Sequence, residues 1–365
     1  MYEYLSGLIR VLEKQLPDKT TIDRLSLAKS ATDAFSVLYD TGYANNLVER
    51  SPIDYQTILN DDFLEVKKLY QQNIGSRPLF AFFFIDFDFT NIKIILKQTL
   101  LDTNLNQPLN EFGLFDPKKL YDNIKLKHEI AKSRQELKNT NTTILDSGKL
   151  LERIALLTQQ LKKFPLNDNL GFSLKHILSR VVSEEKNLNS PALDTIVDLE
   201  LWRLKTKLAK KIKHRFITDL VKLQIDFQNT KMLLRLTAEK GNQNFNLSKD
   251  IFIHGGRTGP NKLLAMFAMD KPVLFSNLKE ISEWYKIEHI LEEFRAKKKL
   301  WGLEKELNAY ELEFATSAAK SEPAGPAVIA GYFFAKQNAM RNLRLIFSGK
   351  LNGINNEAIR ERLIV

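Results

Sequence analysis

Apolar residues recur every three or four positions along most of the chain, and this spacing predicts helices. The clearest stripe consists of Leu201, Leu204, Leu208, Ile212 and Phe216. The segment Leu79–Leu101 is apolar enough to form one largely buried helix. No segment shows the sustained alternation of apolar and polar residues that is typical of a half-buried strand. The pattern therefore predicts an all-α fold.

Clusters of Asn, Asp, Gly, Ser and Pro predict the loops between these helices. The loops fall at Asp102–Phe112, Phe164–Phe172, Gly241–Ser248 and Thr316–Pro326. Within 118–163, two runs of apolar residues at helical spacing flank a polar turn at Asn139–Thr143. This arrangement predicts a helical hairpin.

A short motif occurs three times in the chain: an Asn, any residue, a cation and three apolar residues. In the first two copies an Asp precedes the Asn by three positions, which places it one turn away on the same helix face. The polar members are Asp88, Asn91 and Lys93; Asp226, Asn229 and Lys231; and Arg341, Asn342 and Arg344. Because one active site is not built from three separate copies, we interpret these residues as polar clamps on a neighbouring helix end or loop.

A second element links the first two copies of the motif. Gly113–Leu120 matches Gly256–Leu263 with Gly, Pro, Lys and Leu in register, and both read as helix starts with proline at the first position. Two elements in the same order predict a threefold duplication, with units at 1–112, 113–255 and 256–365. The spacing from helix start to Asn is longer in the second unit than in the third, so we assign the hairpin near 118–163 to an insertion.

The chain has 365 residues, no cysteine and a formal net charge of +10. No apolar run approaches the ~20 residues that a membrane span requires. The densest basic stretch contains Lys205, Lys207, Lys210, Lys211 and Lys213. The lysines alternate with the apolar stripe of the same helix, which predicts that they lie on its outer faces. A solvated surface, a contact with an acidic partner or lipid headgroups, and nucleic-acid binding all remain open interpretations of this stretch.

Residues that could carry catalysis do not form a recognisable constellation. No two of the five histidines lie three or four positions apart, and the absence of cysteine excludes a Cys-based metal site. The glycine-rich stretch 255–262 lacks the spacing of a phosphate-binding loop. We therefore predict a non-catalytic protein that has no cofactor, no metal site and no small-molecule substrate.

The last part of the chain carries a more specific signal. Three of its segments are Arg341-Asn342-Leu343-Arg344, Gly349-Lys350 and Ile359-Arg360-Glu361-Arg362-Leu363. Together they resemble the closing signature of the C-subunit family of V/A-type ATPases, whose eukaryotic members are the d subunits of the vacuolar enzyme. The helices that contain Asn91 and Asn229 resemble earlier repeats of the same family. The ending is more similar to the bacterial and archaeal branch.

The resemblance implies a funnel of three similar helical units around a pseudo-threefold axis. It further implies a non-catalytic coupling subunit that joins the central stalk to the membrane proteolipid rotor ring and transmits torque during proton or sodium transport. The implied partners are the shaft subunits and the rotor ring, with the membrane stator subunit as a further candidate and no nucleic acid. The implied location is the cytoplasmic face of the membrane. The alternative is a helical-repeat scaffold that binds nucleic acid through the basic face 203–215.

Overall fold

A computed structural model describes residues 2–41, 43, 50–101, 107–138, 144–184, 188–239, 251–269, 273–274, 277–278 and 300–365. Within these ranges the secondary structure consists of α-helices and two short 3-10 helices, at Glu13–Gln15 and Pro52–Asp54, and it contains no strand. The prediction of an all-α fold is confirmed for the described residues. Among them no helix is both long enough and apolar enough to cross a bilayer.

The α-helices are numbered in chain order. They are α1 Glu3–Leu12, α2 Lys19–Leu27, α3 Ala31–Asp40, α4 Tyr55–Asn73, α5 Arg77–Leu100, α6 Pro117–Lys138, α7 Ile144–Leu161, α8 Asp168–Ser183, α9 Ser190–Ile212, α10 Arg215–Glu239, α11 Pro260–Ala268, α12 Leu300–Ser321, α13 Pro326–Leu351 and α14 Asn356–Arg362. The single buried helix predicted at Leu79–Leu101 is confirmed by α5, which buries three consecutive phenylalanines, Phe82, Phe83 and Phe84.

The chain divides into two compact units. The first comprises Met1–Phe80 and Ile212–Val365, and the second comprises Ala81–Lys211. Their boundaries fall within α5 and α9. These units reflect spatial proximity, whereas the three repeat units at 1–112, 113–255 and 256–365 reflect sequence similarity. The repeat units and their arrangement as a pseudo-threefold funnel therefore stay predictions.

Two helices occupy the segment predicted to form a hairpin in the second compact unit. Helices α6 and α7 pack against each other, and the Asn123 side chain of α6 donates a hydrogen bond to the Phe164 carbonyl just after α7, at 2.5 Å. The predicted turn at Asn139–Thr143 lies outside the described residues. That the two helices form an insertion into a common repeat unit stays a prediction.

Two of the predicted loops are shorter in the structure than in the sequence interpretation. The loop predicted at Phe164–Phe172 is wrong from Asp168 onwards, because the Asn167 side chain accepts a hydrogen bond from the Leu170 N–H at 2.9 Å and caps the start of α8. Of the other two loops, Gly241–Ser248 lies outside the described residues. At Asp102–Phe112, residues 107–112 are described and are not helical.

The loop predicted at Thr316–Pro326 is also wrong over its first half, since α12 continues to Ser321. Here α12 packs closely on α13. A side-chain carbon added at Gly331 of α13 would collide with Ala319 and approach the Ala315 carbonyl. Small residues on both helices allow this close approach, and the packing keeps a run of Ala, Ser and Thr helical.

Helix α9 ends at Ile212, and the next residue, Lys213, has a left-handed φ of 56°. A non-glycine residue pays a steric cost there that glycine does not. We expect Lys213→Gly to raise the free energy of unfolding by up to about 1 kcal/mol. Urea unfolding of the full chain measures the change. The control is Lys211→Gly, which lies within the helix and should lower the free energy of unfolding by about 0.5–1 kcal/mol. A loss of stability in Lys213→Gly would contradict the inference that the backbone at Lys213 is strained.

Candidate functional site

The first copy of the motif clamps the loop before α6. The Asn91 side chain donates to the Asn110 carbonyl at 2.8 Å and accepts from the Asn110 N–H at 2.7 Å. The Asp88 carboxylate accepts from the N–H groups of Leu114 at 2.8 Å and Phe115 at 3.2 Å. Both Asp88 and Asn91 are completely buried. Helix α5 thus satisfies four main-chain groups of one loop.

The second copy repeats this geometry on α10. The Asn229 side chain donates to the Ile253 carbonyl at 2.8 Å and accepts from the Ile253 N–H at 2.7 Å. Asp226 accepts from the N–H groups of Arg257 at 3.1 Å and Thr258 at 3.0 Å. The loop here leads into α11, as the first clamped loop leads into α6.

Each carboxylate requires a glycine beside it. A side-chain carbon at Gly113 would collide with the Asp88 carboxylate, and one at Gly256 would collide with the Asp226 carboxylate. The aligned glycines in the two helix-start segments therefore have one physical explanation: the loop backbone approaches the buried carboxylate too closely for any side chain.

The third copy, on α13, keeps only the amide part of the clamp. The Asn342 side chain donates to the Ile364 carbonyl at 2.6 Å and accepts from the Ile364 N–H at 3.1 Å. Ala339 stands at the position that Asp88 and Asp226 occupy in the other copies. All three asparagines are at most 2% exposed, and each pairs with both main-chain groups of a single residue.

The cations of the motif contact separate partners. Lys93 forms an ion pair with Asp198 at 2.6 Å, and Lys231 is half-buried. Arg341 donates to the Arg362 carbonyl at 3.2 Å, and Arg344 donates to the Asn60 side chain at 2.8 Å. Burial lowers the pKa of both arginines, although Glu304 opposes this at Arg341. Lys93, Arg341 and Arg344 therefore each contact a residue of their own compact unit.

The Gly349-Lys350 pair of the closing signature also has a structural explanation. The Lys350 ammonium donates to the carbonyls of Ser26, at 3.0 Å, and Ala28, and to the Asn356 side chain at 3.1 Å. It thereby caps the carboxyl end of α2, where a cation is favourable. A side-chain carbon at Gly349 would collide with Ile359, the first residue of the Ile-Arg-Glu-Arg-Leu segment.

Lys205 departs from the sequence interpretation of the basic stretch. Its predicted place on an outer helix face is wrong, because it is only 2% exposed. Its ammonium lies 2.7 Å from the Asp86 carboxylate and is flanked by the rings of Phe82 at 4.8 Å and Trp202 at 5.0 Å. An ion pair and two aromatic rings compensate the burial of this charge. Lys205 is therefore unavailable to a partner.

The remaining lysines of the stretch are exposed: Lys207, Lys210, Lys211 and Lys213. The second compact unit also contains a contact between α8 and α9 that the sequence interpretation missed. The Arg203 guanidinium lies 5.0 Å from the centre of the Phe172 ring, and the His176 ring lies 4.5 Å from it. Glu200 accepts two hydrogen bonds from Arg203, at 2.9 and 2.7 Å, and lies 3.8 Å from His176.

The only sequence signal for this contact is the spacing of Phe172 and His176, which places them one turn apart on one face of α8. The α9 residues that complete it lie more than twenty positions away, so helical periodicity cannot connect them. Among the described residues no group of three or more His, Asp or Glu side chains is arranged to hold a metal ion.

The sequence matches the profile of the ATP synthase (C/AC39) subunit family over residues 5–362. The chain belongs to this family. The match includes all three copies of the clamp motif and nearly all of the closing signature. The predicted resemblance to the C-subunit family is thereby confirmed.

Several archaeal members of the family are similar to this chain. The C subunit of the A-type ATP synthase of Methanocaldococcus jannaschii is 25% identical over 374 residues, which cover 100% of this chain and 86% of that protein. Its counterpart in Pyrococcus furiosus is 23% identical over 367 residues, covering 99% and 89%. That of Methanosarcina barkeri is 30% identical over 151 residues, covering 41% of each chain. These relatives agree with the predicted archaeal and bacterial branch.

Proposed function

We propose that this member of the family is a non-catalytic coupling subunit of a rotary V/A-type ATPase. It would join the central stalk to the membrane proteolipid ring and transmit torque between them. The observation that carries the proposal is the family match over residues 5–362, which spans nearly the whole chain. The relatives are named as ATP synthase subunits, so their class supports a role in such a complex.

The clamps support the mechanical part of this proposal. A body that transmits torque must deform little, and buried side-chain to main-chain hydrogen bonds fix loops at low local mobility. Asn91, Asn229 and Asn342 each bind the main chain of a residue that is 19 to 24 positions further along the sequence. The clamps thus tie each motif helix to a later segment.

The proposed partners are the shaft subunits on one side and the rotor ring on the other, with the membrane stator subunit as a further contact. The chain would then be attached peripherally at the cytoplasmic face of the membrane through the complex. The net charge of +10 fits acidic partner surfaces. The nucleic-acid alternative is weakened because Lys205, one of its cations, is buried in an ion pair.

Complexes rebuilt with and without this chain test the coupling role. We expect ATP hydrolysis by the head to persist without the chain, while ATP-driven ion pumping into vesicles falls to the background leak. The physical reason is that torque cannot reach the ring when the joint is missing. Adding the purified chain back should restore pumping. Equal ion transport per ATP in the two preparations would refute the coupling role.

A further inference from the structure

The face formed by α8 and α9 combines a half-exposed aromatic ring with exposed cations. We define the α8–α9 cationic face by Phe172, Lys175, His176, Arg203, Lys207, Lys210 and Lys211. We infer that this face binds an acidic segment of a partner protein of the ATPase, with carboxylates near the lysines and an apolar side chain over Phe172. The inference rests on the proposed function, because it assumes assembly into that complex.

The aromatic ring is held in place before any partner binds. Phe172 is 48% exposed, yet Arg203 and His176 restrain its ring at 5.0 and 4.5 Å. Glu200, which is largely buried, in turn binds Arg203. A side chain fixed in this way loses little conformational entropy on association, which favours its use as a binding anchor.

Within the described part of the chain, the charges of the face are mostly uncompensated. Arg203, Lys207, Lys210 and Lys211 follow one stripe of α9 at helical spacing, and Glu200 is the carboxylate in contact with Arg203. Lysines in the last turn stabilise the helix dipole, and this accounts for Lys210 and Lys211. It does not account for Lys207 or for the exposed ring of Phe172. A basic stripe beside an apolar anchor is complementary to an acidic amphipathic segment.

The direction of the two helices adds to the positive potential. Phe172 contacts Arg203, whereas His176, one turn later on α8, lies near Glu200, nearly one turn earlier on α9. The two helices are therefore antiparallel there, and the amino end of α8 points towards the Lys207 end of the face. The partial positive charge of a helix amino end reinforces the attraction for carboxylates.

The surroundings of Phe172 favour a protein over nucleic acid or lipid. A stacked base needs a free ring face, whereas the Arg203 guanidinium lies over the Phe172 ring and the tilted His176 ring lies 4.5 Å from it. Insertion into a bilayer needs an aromatic side chain that projects from the surface, whereas the contacts with Arg203 and His176 hold Phe172 against α8 and α9. The free part of the ring suits contact with an aliphatic side chain of a protein segment.

The test measures binding of the full chain to the cognate ATPase complex from which this chain has been removed. We expect the triple variant Lys207→Gln/Lys210→Gln/Lys211→Gln to associate at least about tenfold more slowly at low salt, with the difference vanishing near about 0.5 M salt. Phe172→Ala should dissociate about tenfold faster. The matched control removes three exposed lysines from the other compact unit, Lys14, Lys29 and Lys320, and should change either rate less than about twofold.

The outcomes separate the two proposals. If wild-type chain does not bind the depleted complex, the proposed function fails and this inference fails with it. If wild type binds and the triple variant behaves like the control, the inference alone is overturned. Vesicles containing anionic lipid and single-stranded poly(dT) serve as further probes. If the variants bind the complex normally but no longer bind the vesicles, the face binds a membrane and not a protein. If they lose only the binding to poly(dT), the face binds nucleic acid. A photo-cross-linking residue at Phe172 should attach to one protein subunit of the complex.

Discussion

Replacing Asp62 by alanine is expected to lower the free energy of unfolding by about 3–5 kcal/mol. The Asp62 carboxylate lies 2.7 Å from the Lys336 ammonium, and both side chains are largely buried between α4 and α13. The same ammonium lies 4.4 Å from the centre of the Tyr43 ring. Without the carboxylate, a buried positive charge is left with an aromatic ring as its main compensation. Urea unfolding of the full chain measures the loss.

A double variant distinguishes the cost of an orphaned charge from the value of the ion pair. Asp62→Leu combined with Lys336→Met removes both charges and keeps apolar volume at the site. We expect its stability to lie within about 1 kcal/mol of wild type or above it, because desolvation offsets most of the attraction in a buried pair. If the double variant is as unstable as Asp62→Ala, the loss arises from packing rather than from charge.

Replacing Asn229 by alanine is expected to lower the free energy of unfolding by about 2–4 kcal/mol, because each unsatisfied buried polar group costs about 1–3 kcal/mol. The variant would strand both main-chain groups of Ile253, which lie at 2.7 and 2.8 Å from the amide. Hydrogen exchange provides the local measurement, and the amide of Ile253 should exchange much faster in the variant than in wild type.

The matched control for this variant is Asn308→Ala, which changes an exposed asparagine in the middle of α12. Alanine is the better helix former, so stability should stay the same or rise slightly. The clamp has no energetic importance if Asn229→Ala and Asn308→Ala have equal stability. Protection of the Ile253 amide in Asn229→Ala would show that another group satisfies it.

Helical periodicity and internal repetition were enough to predict the fold class and the buried helix α5. They also led to the interpretation of Asn91, Asn229 and Asn342 as polar clamps, and in the structure each is buried and hydrogen-bonded to the main chain of a later residue. Side chains that lie on the buried face of a helix recur every three or four positions, so the sequence shows them as a regular pattern. The identity of the paired residues left no such trace, because Asn110, Ile253 and Ile364 contribute only their main-chain groups to these hydrogen bonds.

The sequence interpretation missed two features that depend on contacts between residues far apart in the chain: the burial of Lys205 and the helical structure of Thr316–Ser321. Lys205 lies four residues after Leu201 and three before Leu208, so it belongs to the inner face of α9, but its partner Asp86 lies more than a hundred residues away. The composition of Thr316–Ser321 favours a loop, yet packing of Ala319 against Gly331 keeps it helical. In the first case a distant carboxylate allows a lysine on the inner face of the helix, and in the second case packing against a distant residue overrides local propensity.

The ion pairs between α5 and α9 form a ladder whose signs reverse along the helices. Asp86 of α5 faces Lys205, whereas Lys93 and Lys97 face Asp198 and Asp194 at 2.6 and 2.8 Å. Seven residues separate Asp86 from Lys93, and seven separate Asp198 from Lys205. Sliding α5 by two turns, about 10 Å, would bring Lys93 opposite Lys205 in one direction and Asp86 opposite Asp198 in the other. The three ion pairs therefore oppose sliding of α5 along α9, because a displacement by two turns would exchange attraction for repulsion between like charges.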